Sequence, residues 1–174
     1  MPLPFIEASH VAASLVGTGL LLLAPGMFPA VDLGWCAKLR VGLALVAGGR
    51  AQFDIPLNDP ALFTDNLAGR QFIADDPLKL TRVTARFLYC SRHLDCELRR
   101  ARARSLSAPI TLALAGHDAI IRNGPTEAWV RRAAVQVPEV RTLTNTAHTL
   151  EFEPDVEVLE NLLRRWAEPD RTWP

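Results

Sequence analysis

Asp118 and His148 are the residues whose types and spacing could carry chemistry. Ile110 to Ala115 is a short uncharged run that follows Pro109 and stops at Gly116. That is how a buried parallel strand ends in a loop. Asp118 falls in that loop, at the carboxyl edge where open α/β sheets place ligands and catalysts. Pro125 to Val137 reads as a helix and Glu139 to Thr144 as a further strand, with His148 just beyond its end. Two successive parallel strands then bring a carboxylate and an imidazole to one edge of one sheet. A carboxylate and an imidazole so placed are the orienting acid and the general base of a nucleophilic triad in the chain order Ser, Asp, His. A surface Asp and a loop His are each commonplace; their shared position at strand ends is what points to chemistry. His117 adjoins the acid and cannot also be poised over a nucleophile on another strand, so it reads as a loop residue.

These side chains need a sheet and helices to hold them. Gly19 to Ala24 reads as another buried parallel strand, ended by Pro25-Gly26. Phe5 to Val16 reads as a small-residue helix feeding it. From Met27 to about Ser107 the alternation of strand and helix gives way to helices and loops. Trp35 to Val46 is an apolar helix stopped by Gly48-Gly49, and a proline-rich loop, FDIPLNDPALF, follows. Asp76-Pro77 predicts the start of a long helix, the Asp capping and the Pro in the first turn. Leu80, Val83, Phe87, Cys90, Leu94 and Leu98 form one stripe along it at steps of three and four. In the helix after Asn123-Gly124-Pro125, Trp129, Ala133 and Val137 share a face, with Arg131 and Arg132 outside. Pro154-Asp155 opens a last helix with Val156, Leu159, Leu163 and Trp166 inward and Glu160 paired with Arg164. The expected class is α/β, with about three parallel strands and flanking helices.

A chain of 174 residues makes one domain, and a hydrophobic fraction of 49% is ample for a core. Nineteen basic residues balance nineteen acidic ones, which implies no nucleic-acid or anionic-membrane partner. The run RRARAR, Arg99 to Arg104, reads as a solvated helix end that complements the helix dipole. Cys36, Cys90 and Cys96 are an odd set without a CxxC pair. They read as reduced thiols in a cytoplasmic setting, with no zinc site. Ala8 to Val31 is uncharged and long enough to span a bilayer. Pro25, Gly26 and Pro29, with the break at Gly17-Thr18-Gly19, favour a buried helix feeding a buried strand instead, so no transmembrane span is expected.

In order along the chain, GLLLLAPG, FTDNLAGRQFIADDPLKL, PITLALAGHDAIIRN and NTAHTLEFEPD resemble the α/β-hydrolase family. Within that family they look most like the lysophospholipase and monoacylglycerol lipase branch of serine hydrolases. The resemblance covers most of the chain from Gly19 onward. It implies a truncated α/β-hydrolase fold, with core residues 1–26 and 108–174 and a helical cap insertion over 27–107. It also implies acyl-ester hydrolysis with His148 as base and with Asp118, rather than Glu151 or Glu153, as the triad acid. No cofactor and no metal are implied. The partner is a small-molecule acyl ester or lipid, with access from a membrane surface but no span.

The family's nucleophile elbow, G-x-S-x-G, occurs nowhere in the sequence, and neither does the glycine-rich oxyanion loop before it. Ser9 and Ser14 fall inside the expected first helix, where no strained strand-to-helix turn can present a hydroxyl. The resemblance therefore implies the C-terminal portion of a serine hydrolase, inactive alone, with the serine expected at or just before the position of Met1. The other reading is a non-catalytic α/β-hydrolase-like binding protein that keeps the cap pocket. In the family the sheet continues beyond the Gly19–Ala24 strand, so an unpaired edge there would favour self-association.

Overall fold

The computed structural model describes residues 19–167. In chain order the elements are β1 Leu20–Leu23, α1 Trp35–Val46, β2 Gln52–Asp54, α2 Leu67–Asp75, β3 Arg82–Thr84, α3 Ala85–Arg100, β4 Ile110–Ala115, α4 Asn123–Ala133, β5 Glu139–Leu143 and α5 Val156–Ala167. Short 3-10 turns lie at Pro60–Leu62 and Leu150–Phe152.

β4 is central because both of its faces are apolar and both are covered. All six of its residues are buried. Alternation sends Ile110, Leu112 and Leu114 toward Val130 of α4 and Ala134 just after it. Ala113 and Ala115 point the other way, toward Leu143, Leu150 and Leu159 of α5. Leucine-sized side chains on one face and alanines on the other set how closely each helix approaches. Each fully buried leucine contributes about 1.5–3 kcal/mol. β1 pairs with β4 in parallel, Leu20 opposite Ile110 and Leu23 opposite Ala113. β5 pairs on the other side, also in parallel, Thr111 opposite Glu139 and Ala115 opposite Leu143. The order β1-β4-β5 gives the three parallel strands that the apolar runs predict.

Residues between β1 and β4 form α1, α2 and α3 and a separate antiparallel pair, β2 with β3. α1 and α3 pack together. Here the structure departs from the sequence reading. The long helix starts not at Asp76-Pro77 but at Ala85, where the Thr84 hydroxyl accepts from the Phe87 N–H at 3.2 Å. Asp76 instead accepts from the Leu78 N–H at 2.8 Å and shapes a turn. Leu80 and Val83 leave the helical stripe: Leu80 is 61% exposed, and Val83 is buried in β3 opposite Phe53. β2 overlaps the start of the proline-rich loop, and α2 lies in a stretch that carried no helix assignment.

Smaller departures follow at helix ends. α4 closes at Ala133, and Val137 lies beyond it, 89% exposed rather than packed. Trp129 is half-buried and donates its indole N–H to the Leu98 carbonyl at 2.6 Å. In α5 only Leu159 is fully buried, and Arg164 reaches Asn161 at 3.4 Å instead of Glu160. The expected helix at Phe5–Val16, with Ser9, His10 and Ser14, lies outside the described residues. All three cysteines are free. Among the described residues, no helix is long and apolar enough to cross a membrane.

Candidate active site

The loops after β4 and β5 are joined before any side chain meets. Gly116 N–H donates to the Leu143 carbonyl at 2.8 Å, and His117 N–H to the Thr146 carbonyl at 2.9 Å. These bonds continue the ladder past the strand ends. Glycine is required at 116, because a Cβ there would sit 2.9 Å from the Leu143 carbonyl oxygen and 3.2 Å from the Thr144 Cα. Asn145 turns the second loop with a φ of 62°, a conformation that asparagine tolerates better than most residues. The buried Thr146 hydroxyl donates to the Leu143 carbonyl at 2.8 Å and closes the turn.

Asp118 and His148 meet across these loops, His148 Nδ1 lying 2.9 Å from Asp118 Oδ2. An ionised carboxylate only accepts, so Nδ1 carries the proton, and in the neutral form of the ring Nε2 is the nitrogen left with a lone pair. Oδ1 of the same carboxylate accepts from the Ile120 and Ile121 N–H groups, each at 2.9 Å. The Asp118 side chain is 0% exposed and that of His148 is 19% exposed. Burial alone would push the Asp118 carboxyl up. The His148 hydrogen bond, the Ile121 and Ile120 N–H groups and the imidazolium charge outweigh it, and the carboxyl is held below its usual 3.8.

The two residues singled out from spacing are thus brought together. Of the other histidines, His117 is exposed, and its backbone N–H is engaged at the loop junction. His93 stacks on Tyr89 in α3, at a centroid separation of 6.3 Å. Glu153 is 5% exposed and is not the partner of His148; it accepts from the Thr64 hydroxyl at 2.9 Å.

Thr64 belongs to a support that sequence reasoning missed. The segment 63–70 is bonded to the far side of the His148 loop. Phe63 accepts from the Thr149 N–H at 2.8 Å and sets its ring edge-on to His148 at 6.5 Å. Asn66 Nδ2 donates to the Phe152 carbonyl at 2.8 Å, while its Oδ1 caps α2 by accepting from Ala68 N–H. Arg70 Nε donates to the Thr64 carbonyl at 2.7 Å. The stretch Thr64-Asp65-Asn66 ahead of a helix was the available signal, because short polar side chains there cap.

A cavity of about 840 Å³ opens on the other side, between α1, α3 and the β2–β3 pair. Val41, Leu45, Ile55, Val83, Phe87 and Leu88 form its apolar wall. Lys38, Arg92, Arg99, Arg122, Asp32 and Asp95 supply the charge. It adjoins the acid's loop through Pro29, which bridges Ile121, and through Ala30, whose N–H donates to the Ile120 carbonyl at 2.7 Å. Among the described residues, no group of three or more His, Cys, Asp or Glu could hold a metal ion.

Known proteins agree with this architecture. The fold is similar to a soluble variant of monoglyceride lipase from Saccharomyces cerevisiae, solved with a substrate analog. That match has a TM-score of 0.75 at 16% identity and covers 97% of this chain and 58% of the yeast one. A monoacylglycerol lipase from Paleococcus ferrophilus superposes with a TM-score of 0.74 at 16% identity, over 94% of this chain and 63% of its own. The chain therefore spans less than two thirds of either relative. The sequence has no significant match among curated proteins. The family model for serine aminopeptidase S33 matches residues 8–155. With the parallel sheet and the loops at its carboxyl edge, that match shows that the chain belongs to the S33 serine aminopeptidase family of α/β-hydrolases.

Proposed function

We propose that this chain supplies the base and the orienting acid of a serine ester hydrolase acting on acyl esters of the monoacylglycerol or lysophospholipid kind. The observation that carries the reading is the 2.9 Å bond between His148 Nδ1 and the buried Asp118 carboxylate, at the ends of adjacent parallel strands. In the reaction, His148 Nε2 takes the proton of a serine hydroxyl as its oxygen attacks the ester carbonyl. His148 then returns the proton to the departing alkoxide, and in the second half it activates water in the same way. Asp118 fixes the Nδ1–H tautomer and stabilises the imidazolium while it lasts. Neither a G-x-S-x-G elbow nor a glycine-rich oxyanion loop occurs in these 174 residues, so this reading requires that the nucleophile and the donors be supplied from outside them. Residues 27–107 act as a cap whose apolar cavity receives the acyl chain.

Entry from a lipid surface belongs to the same proposal, in a cytoplasmic setting. Val41 and Leu45 of α1 line the cavity, whereas Trp35, Leu39, Leu43 and Val46 share the opposite face and are 81%, 59%, 66% and 91% exposed. A helix that lines an acyl cavity on one face and presents an aromatic and three aliphatics on the other suits an interface.

The absence of G-x-S-x-G favours one second reading, a binding protein that retains the cavity without chemistry. A fluorophosphonate probe separates the two. The 174-residue protein should not label. A longer protein read in frame from upstream should label on an elbow serine and hydrolyse p-nitrophenyl esters. Labelling of the 174 residues that disappears on Ser9→Ala or Ser14→Ala would overturn the assignment.

A further inference from the structure

The cavity carries more positive charge than an acyl chain requires. Its wall holds four cations and two carboxylates. Two of the cations are matched: Lys38 pairs with Asp32, and Arg92 lies 3.7 Å from Asp95. Arg99 and Arg122 have no carboxylate partner among the described residues. Both gather at Phe28, which is buried and held at a φ of 53°. The Arg99 guanidinium stands 4.7 Å from the Phe28 ring centroid, and Arg122 uses its N–H and Nε on the Phe28 carbonyl at 3.0 and 3.5 Å. An aromatic face and a carbonyl orient the two guanidiniums without neutralising either of them. Arg122 directly follows Ile121, whose N–H holds the Asp118 carboxylate, so this charge lies at the end of the cavity next to the acid's loop.

We infer that the cavity selects a single-chain amphiphile with an anionic headgroup, the chain lying along Val41, Leu45 and Phe87 and the anion taken by Arg99 and Arg122. This rests on the hydrolase reading only for which end of the cavity faces the chemistry. A planar fork of donors suits oxyanions, so phosphate and carboxylate heads share the recognition. The sources differ: a lysophospholipid would bring the first and a fatty acid the second.

Calorimetric titration below the critical micelle concentration tests it, with ligands that no hydrolase can cleave. The probes are dodecyl phosphate, dodecanoate and the neutral ether 1-O-dodecylglycerol. At least one anion should bind about tenfold or more tightly than the ether, as expected for charge-assisted hydrogen bonds at a partly exposed site. The preference should weaken from low salt to about 0.5 M. Arg99→Gln with Arg122→Gln should erase it while leaving the ether within about twofold, and the two lysine replacements, which keep the charge but lose the planar fork, should restore only part of it, with circular dichroism confirming the fold. A phosphate preference would assign the headgroup to a phospholipid source and a carboxylate preference to a fatty acid. Equal binding of all three ligands, or a preference that survives the double glutamine variant, would overturn the inference. Because nothing is turned over, failure here leaves the Asp118–His148 reading standing, and inactivity of the longer protein would leave this binding result untouched.

Discussion

At the scale of single residues, the Asp118 carboxylate has three duties on two oxygens. Oδ2 orients His148, and Oδ1 holds the turn through Ile120 and Ile121. Asp118→Asn keeps the shape and still offers an oxygen to those N–H groups, yet its amide can favour the wrong imidazole tautomer. In a protein that carries its nucleophile, steady-state kinetics should show a loss on the order of 10⁴-fold in kcat. His148→Ala should cost at least as much, and His117→Ala should stay within about tenfold, or ~1.4 kcal/mol of barrier. Abolition by His117→Ala with retention by His148→Ala would reverse the choice of base. The same carboxylate gives a pH signature. Its folded pKa lies below 3.8, so its contribution to stability is present above the unfolded value and is lost as pH falls through the folded one. Urea midpoints measured from pH 6 to pH 2.5 should drop less steeply for Asp118→Asn than for the parent. Asp118 and His148 were legible because each follows a strand that its own residues announce. Arg99 was not, because RRARAR reads as a solvated helix end until the fold brings Phe28 beneath it. Thr64 and Glu153 were equally hidden, since a contact across 89 positions leaves no trace in local spacing.

At the scale of elements, legibility followed how much of the decision was local. β4 is read to the residue because an uncharged run between a proline and a glycine has few other fates when both faces are covered. α1 is likewise bounded as expected, by Trp35 and Val46. The start of α3 is different. Asp76-Pro77 is a good local cap, and Leu80, Val83 and Phe87 continue the helical spacing by coincidence. The β-branched Thr81, Val83 and Thr84 instead follow an extended path because Gln52–Asp54 offers a partner, with Thr84 then serving as the cap. Propensity lost to pairing. The loop junction offers a sharper test of how elements position chemistry. Gly116→Ala would drive a Cβ into the Leu143 carbonyl and the Thr144 Cα, both backbone, so the loops after β4 and β5 must part. We expect a loss of about 1–3 kcal/mol in denaturant unfolding. kcat in the nucleophile-bearing protein should also fall more than stability explains, because the Asp118 and His148 loops are the ones displaced. An alanine variant as active and stable as the parent would show that the junction does not set the geometry.

At the scale of the whole molecule, the sheet is unfinished among the described residues. β4 has a neighbour on each side, whereas β5 and β1 each pair only with β4; charged Glu139 and Arg141 sit on β5, and no charge sits on β1. Its other edge offers a row of backbone N–H and C=O groups flanked by four leucines, of which Leu23 is 39% exposed. An edge that is apolar, uncharged and free of proline within the strand is what a second chain can extend. The 174-residue protein should therefore self-associate at tens of micromolar, with light scattering reporting species larger than a monomer. The exposed stripe of α1 is a competing cause, and substitution separates the two. Leu23→Lys places a charge on the edge at a position already open to water, so the fold should survive and the population should shift to monomer. Trp35→Ser with Leu39→Ser removes apolar area from α1 and leaves the edge untouched, so association should persist. A monodisperse parent would remove the need for either explanation. Association that survives Leu23→Lys and vanishes with the α1 pair would move the contact from the sheet edge to the helix.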